Sequence, residues 1–356
     1  MKFNHFCLQL LLLCGALFAA QPTWASESTE EGGVDVKEIV LGHMSDAYDW
    51  HITTWNGHHI SIPLPVIVRS ESGEWHIFSS ERFHDSADGC YKGFYLNAES
   101  NGKIYECLST GQTVRPLDFS ITKNVVQIWI VALLMILIFV GSARWYKGRK
   151  PSDQAPRGFV GLVEMFVTTI NDDLIRPSVG EKHYHRYAPF LLSVFFFIFI
   201  TNLLGLIPFF PGGANITGNI NITFFLAFCT LLLVNLFGNK EYWKEILWPP
   251  VPTWLKVPIP MMPVIEIFGI FTKPFALMVR LFANMMGGHA IILSLTCVIF
   301  ITSQMGPVIG GPLTVVSFLM MLFMNGLELL VAFIQAYVFT MLSAIFIGLA
   351  HPEHHE

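Results

Sequence analysis

Phe275-Ala-Leu-Met-Val-Arg280-Leu-Phe-Ala-Asn284-Met-Met-Gly287-Gly288-His289 is an apolar run interrupted by one permanent cation. An Arg at the centre of a membrane helix costs about 2.5 to 3.5 kcal/mol on insertion scales, so by default it marks an ion pathway or a paired counter-charge. No acid lies within one helical turn of Arg280 to neutralise it, and no further Lys or Arg occurs from Leu281 to Glu356.

Working outward, the ionisable residues of the last two apolar stretches are Glu266, Lys273, Arg280, His289 and Glu328. On a helix of 100° per residue, Glu266, Lys273, Arg280 and Gly287 share a face, Asn284 lies close to Arg280, and His289 points to the opposite side. One helix thus offers polar groups to two separate wet regions. Gly287 and Gly288 remove bulk and invite close helix approach. Glu328 and Gln335 share a face of the final stretch, with Asn325 nearby. His289 and Glu328 are complementary proton carriers, because an imidazole and a buried carboxyl can both titrate near neutral pH. A guanidinium keeps its charge when buried. It would force a passing carboxyl to ionise and would block a direct proton leak between two cavities. Blander roles compete: Asn284 as interhelical glue, and Lys273 snorkelling to an interface with Glu266 as its partner.

The composition agrees with a membrane protein. Of 356 residues, 53% are hydrophobic and only 13% charged, which is unlike a soluble domain. No phosphate loop, dinucleotide fingerprint, zinc-type Cys spacing or HExxH is present, and no basic run suits nucleic acid. A span needs about 20 apolar residues. Candidates are Val125 to Ala143, Phe190 to Phe210, Ile222 to Phe237, Pro263 to Thr302 and Leu313 to Ala350. The fourth would extend about 60 Å as a helix, so it must break, tilt or cross twice. A double crossing would put the final segment on the wrong side, which favours one long tilted helix, bent if anywhere at Lys273-Pro274.

Lys and Arg set the orientation. Arg144, Lys147, Arg149, Lys150, Arg157, Arg176, Lys182 and Arg186 follow the first span, and Lys240, Lys244 and Lys256 follow the third. The alternate loops near 211–221 and 304–312 carry none, so the basic loops and the C-terminus are expected in the cytoplasm. Residues 1–25 have the layout of a secretory signal cut after Ala25. The rival reading, a lipoprotein box ending at Cys14, is a poor match. Residues 26–121 then form an exported, periplasmic domain with short strands, as in His59-Ile-Ser-Ile-Pro and Glu74-Trp-His-Ile-Phe, and residues 122–356 the membrane domain. Cys90 and Cys107 are a candidate disulfide, with two free thiols as the alternative. Cys229 and Cys297 read as packing residues. The His residues at 43, 51, 58, 59, 76 and 84, and the His-rich terminus, read as solvated rather than as metal ligands.

Arg280-Leu-Phe-Ala-Asn284-Met-Met-Gly-Gly-His289, followed by Glu328 and then Gln335-Ala-Tyr-Val-Phe, resembles the signature of subunit a of the F-type ATP synthase. Thr201-Asn202-Leu-Leu-Gly-Leu-Ile-Pro208, Asn219-Ile-Asn-Ile-Thr223 and Pro263-Val-Ile-Glu266 extend the resemblance over roughly residues 122–350. It implies an all-α integral membrane protein with about five transmembrane helices, the last two long and strongly tilted, in a bacterial inner membrane. It implies a non-catalytic, proton-conducting stator, without cofactor or metal, whose partners are the c-ring, peripheral-stalk b subunits and lipid, and no nucleic acid. Arg280 would meet the c-ring carboxylate, with Asn284 and Gln335 as polar neighbours. His289 and Glu328 would line a half-channel from the outer side and Glu266 would lie toward the cytoplasmic one, with Asn202 also counted among the proton-translocation residues. Two departures stand out: His289 and Glu328 are an exchanged pair relative to some relatives, and Gly205 stands where some carry an acid. The competing functions are a secondary transporter using Arg280 to bind an anion, without the internal repeat such proteins commonly show, and an anchored envelope protein whose activity lies in residues 26–121.

Overall fold

The computed structural model describes residues 45–351 except 56–57, 87–88, 98–101, 109–112, 149–155, 208–211, 249–260 and 304–306. The signal sequence with its cleavage after Ala25, His43, His354 and His355 lie outside the described residues; His351 corrects the expectation of a solvated terminus, since it is buried, with its ring nitrogens 3.1 Å from the Tyr187 hydroxyl and 3.0 Å from the Ile347 carbonyl. The chain divides into two compact units, one comprising residues 1–126 with 207–213 and the other the remainder.

The first unit is built of short antiparallel strands: β1 (Asp49–Trp55), β2 (His58–Pro63), β3 (Pro65–Arg69), β4 (Trp75–Ser79), β5 (Cys90–Tyr91), β6 (Phe94–Asn97), β7 (Lys103–Cys107), β8 (Thr113–Val114) and β9 (Leu117–Asp118), with one helical turn, α1 (Glu81–Asp85). They form a β1–β2 pair, a β4-β3-β9 sheet and a β5-β6-β7-β8 sheet. Strand alternation drives this packing. Val66 and Val68 of β3 point inward and meet Tyr48, Phe83, Phe94 and Ile104, while Ile67 and Arg69 point away. The Tyr48 hydroxyl donates to the Asp118 carboxylate. Burial, reinforced by that carboxylate, pushes the phenol well above its ordinary range. Cys90 and Cys107 are free, exposed thiols, which corrects the expected pairing. The register explains it. Cys90 faces Tyr95 on β6, and β6 lies between it and the β7 strand that carries Cys107. Strands two apart stand about 9–10 Å from each other, beyond the roughly 7 Å Cα separation a disulfide tolerates.

The second unit is helical: α2 (Lys123–Tyr146), α3 (Phe159–Thr169) continuing through a wider π turn (Ile170–Ile175) into α4 (Arg176–Val179), then α5 (Tyr184–Gly205), α6 (Ile220–Phe237), α7 (Lys240–Leu247), α8 (Met261–Ser303) and α9 (Pro307–Leu349). Five of these are long and apolar enough to cross a membrane: α2, α5, α6, α8 and α9. The Asn219 side chain accepts from the Asn221 N–H at 3.0 Å and caps α6 where the loop ends. α8 runs as helix through Pro274. With 43 residues each, α8 and α9 are about 65 Å long, twice the roughly 30 Å of a hydrocarbon core.

The core gathers around α5. Half of its apolar window is buried inside the protein, against 17% for α2 and for α8. Leu191, Phe195 and Ile198 meet Leu277 and Leu281 of α8 and Phe339 and Ile347 of α9 in one cluster. The α3–α4 segment joins the same cluster through Ile170, Leu174 and Ile175, with Asp172 and Asp173 left exposed. One close approach depends on a missing side chain. A Cβ at Gly348 of α9 would stand 2.0 Å from the Ser178 carbonyl oxygen of α4. Gly348→Ala is therefore expected to destabilise the fold by about 1–3 kcal/mol, read as a lowered thermal unfolding midpoint in lipid or detergent; an unchanged midpoint would mean that α4 does not pack on α9 here.

Candidate functional site

The α8–α9 pair carries most of the ionisable residues singled out above. Its register is antiparallel, with contacts stepping down both helices together. Gln335 Nε2 donates to the Arg280 carbonyl at 3.4 Å, His289 Nδ1 pairs with Glu328 Oε1, the Thr296 hydroxyl lies 3.5 Å from Met321 Sδ, and the Thr302 and Thr314 hydroxyls are 3.2 Å apart. Gly288 makes the second contact feasible, since a Cβ there would come within 3.0 Å of Glu328 Oε1. Small residues let polar partners on neighbouring helices meet.

Arg280 faces the other way. Leu277, Leu281 and Met285 are buried on the packed side of α8, while Arg280 and Asn284 are exposed, one turn apart. Among the described residues no carboxylate lies within ion-pairing distance of Arg280. Ala276 and Ala283 flank it, also exposed, and a Cβ at Gly287 would meet nothing within 4 Å. A cation is thus displayed on a strip of small side chains, where a second helix could lie close against it.

On the packed side, His289 and Glu328 belong to a polar region that reaches other helices. Glu328 is buried, and His289 Nε2 lies 3.4 Å from where a Cβ would stand at Gly205, the last residue of α5. Asn202, one turn earlier, is buried and accepts from the Thr217 hydroxyl at 2.6 Å. Gln127 of α2, also buried, accepts from the Ala214 N–H at 2.9 Å.

Glu266 and Lys273 sit near the other end of α8. Both reach within 4.0 Å of the Cβ position at Gly269, yet they do not form an ion pair. Lys273 Nζ stands 5.8 Å over the Phe346 ring and, with Thr230, Asn235, Tyr242 and Pro274, lines a cleft between α6, α7, α8 and α9. The Tyr242 hydroxyl donates to Asn235 Oδ1 at 3.3 Å. Burial raises the Tyr242 phenol above its ordinary value, and the Glu266 carboxylate adds to the shift.

Two polar regions therefore lie on one helix. At 1.5 Å per residue, Glu266 and His289 are about 35 Å apart along α8, and Arg280 stands between them, about 14 Å from His289. Of the expected site residues, the structure joins His289 to Glu328 and Gln335 to the Arg280 backbone. It leaves Glu266 apart, and Asn202 is linked to the rest through the α5 end and the 214–217 turn. Gln127, Thr217, Asn235 and Tyr242 were not picked out from sequence. Gln127 had a signal, as a lone amide inside an apolar run; the others gain interest only from their neighbours. Among the described residues no group of three or more His, Cys, Asp or Glu could hold a metal ion.

Comparison with known proteins adds relatives to this geometry. A family model described as ATP synthase A chain matches residues 125–348, and one described as a domain of unknown function matches residues 39–119. The chain is 44% identical over 250 residues to ATP synthase subunit a 2 of Chlorobaculum tepidum, covering 68% of this chain and 67% of that protein. It is 41% identical over 246 residues to ATP synthase subunit a of Chloroherpeton thalassium, covering 67% and 69%. With ATP synthase subunit a 2 of Chlorobium luteolum, the identity is 43% over 337 residues, or 91% of this chain and 87% of that one. That last alignment is too long to be confined to the five spans.

Proposed function

Because the chain belongs to the ATP synthase A chain family, we propose that it is the proton-conducting stator subunit of an F-type ATP synthase, with two offset half-channels kept apart by Arg280. The observation that carries this reading is the position of Arg280: unpaired among the described residues, turned outward, and between two polar regions of the same helix.

The chemistry follows from charge. In the outer half-channel a proton passes along His289 and Glu328, with Asn202 lining the way, and neutralises a carboxylate on the c-ring. The neutral acid can then enter lipid at low cost. When the ring has turned, the returning acid meets Arg280, whose fixed charge favours the ionised form. The proton leaves by the Glu266 region. Asn284 is a polar neighbour of the cation one turn along α8, and Gln335 holds the helix backbone at Arg280. Each charge crossing the field is worth about 2.3 kcal/mol per 100 mV, and this drives rotation. The subunit forms no bond to nucleotide; that chemistry belongs to other subunits.

The loop charges support a cytoplasmic C-terminus and a periplasmic domain of residues 26–121, preceded by a signal sequence, in a bacterial inner membrane. Residues 122–356 are the channel domain. The c-ring, peripheral-stalk b subunits and lipid are the partners. Asn284→Cys tests the docking face. It is expected to cross-link to a cysteine placed beside the c-ring carboxylate in the resting complex, and ATP-driven rotation should spread the product over all ring subunits. No cross-link in an assembled complex would contradict the reading.

A further inference from the structure

The β4-β3-β9 sheet is apolar on both faces. Val66 and Val68 fill the core of their unit on one side. Residues directly opposite on paired strands share a face, so the pairings Ile67↔Ile77, Arg69↔Trp75 and Arg69↔Leu117 line up these five side chains on the other. Phe119, two residues beyond Leu117, falls on the same side, with its N–H on the Ile67 carbonyl at 2.9 Å. Trp75, Ile77, Leu117 and Phe119 are each 55–70% exposed, and the Trp75 and Phe119 rings lie 5.6 Å apart across β3. An antiparallel sheet that meets water normally turns polar side chains to it. A contiguous apolar patch instead marks an interaction surface.

The patch is joined to a membrane span without a linker. The Ile121 N–H bonds the Pro65 carbonyl at 3.1 Å, and α2 starts at Lys123, whose N–H is held by the Ala47 carbonyl at 2.9 Å. The Asn124 N–H bonds Asp46 Oδ1 at 3.2 Å, and the first turn of α2 belongs to the same compact unit as the sheet. Phe119 is therefore at most about 14 Å from the first residue of a helix apolar enough to cross a bilayer. The composition suits a bilayer surface, where Trp and Tyr rings settle at headgroup level. Arg69 is the one charged residue of the face, a cation of the sign that phosphate attracts, and its guanidinium stands 5.8 Å over the Trp75 ring. The nearby acids are turned away. Asp118 pairs with Val68 and accepts from Tyr48 on the core side, and Glu71 and Glu74 lie in the β3–β4 turn, at the end of the strands remote from α2. We infer that this face lies on the leaflet that α2 enters, with Trp75, Ile77, Leu117 and Phe119 among the lipid headgroups and Arg69 against phosphate. The inference needs only that the chain is a membrane protein, and not the proton path proposed above.

Photochemical capture identifies the occupant. The full chain in its assembled complex is reconstituted in liposomes of phosphatidylethanolamine and phosphatidylglycerol, carrying Ile77→p-benzoylphenylalanine or Phe119→p-benzoylphenylalanine. Both positions are exposed, and the second exchange is aromatic for aromatic, so the fold should hold. A probe at Glu81 serves as the reference, since it is exposed on α1, which packs through Phe83 on the core side of the sheet. Irradiation is expected to add the mass of one phospholipid to the chain at Ile77 and at Phe119, severalfold more often than at Glu81. Phospholipid capture no greater than at Glu81 would overturn the inference. So would capture mainly of protein, whether another subunit, a second copy of this chain or its own residues 26–44. If one probe prevents assembly, the other decides by the same outcomes.

Discussion

Arg280→Ala is expected to abolish proton-driven ATP synthesis, a loss of at least about a hundredfold, in a complex that still assembles. The reason for assembly is visible in the packing. Arg280 is exposed, and the buried side of α8 at this level is held by Leu277, Leu281 and Met285, which the substitution does not touch. The reason for the functional loss is electrostatic. A guanidinium is the one side chain that stays charged in an apolar setting, and neither Lys nor Arg occurs between Leu281 and Glu356. On the proposed mechanism, its loss leaves nothing to make the returning ring carboxyl release its proton and nothing to separate the two polar regions. Synthesis measured in membranes containing normal amounts of assembled enzyme tests this; native synthesis would remove Arg280 from the mechanism.

Glu328→Gln is the second large effect. Gln is close to isosteric and keeps a polar head against His289 and Gly288, so the α8–α9 contact should survive. It cannot accept and release a proton. Removing a positioned proton carrier slows transfer by about 10²–10⁴-fold, so uptake after an acid–base jump should fall on the order of a hundredfold. Glu328→Asp, which keeps the acid but shortens the arm, should fall less. Equal rates in the native enzyme and Glu328→Gln would exclude this carboxyl from the path.

Most of the architecture was legible because lipid imposes a simple rule. In a helical membrane protein a spanning segment must be a predominantly apolar helix of about 20 residues or more, so hydropathy alone located five spans. The α3–α4 segment escaped notice, since Glu164, Asp172 and Asp173 interrupt its apolar pattern, and its burial depends on α5 and α9 being there to receive Ile170, Leu174 and Ile175. Helical periodicity was enough to separate the Arg280 face from the His289 face, because both lie on one helix. It could not join Gln127 to Ala214, 87 residues away, or bring Gly205 beside His289. Those are products of tertiary packing, and no local pattern encodes them. The Cys90–Cys107 pairing failed for the same reason. Proximity depends on strand order, and β6 comes between.

The central claim is that one fixed positive charge keeps two proton-accessible regions apart. The most direct measurement is passive proton leak through the reconstituted synthase with its rotor immobilised by cross-linking to the stator, compared between the native chain and Arg280→Ala. The account predicts a tight native membrane and a leak in Arg280→Ala under the same imposed gradient. A membrane equally tight in both, with ATP synthesis intact once the rotor is freed, would contradict it.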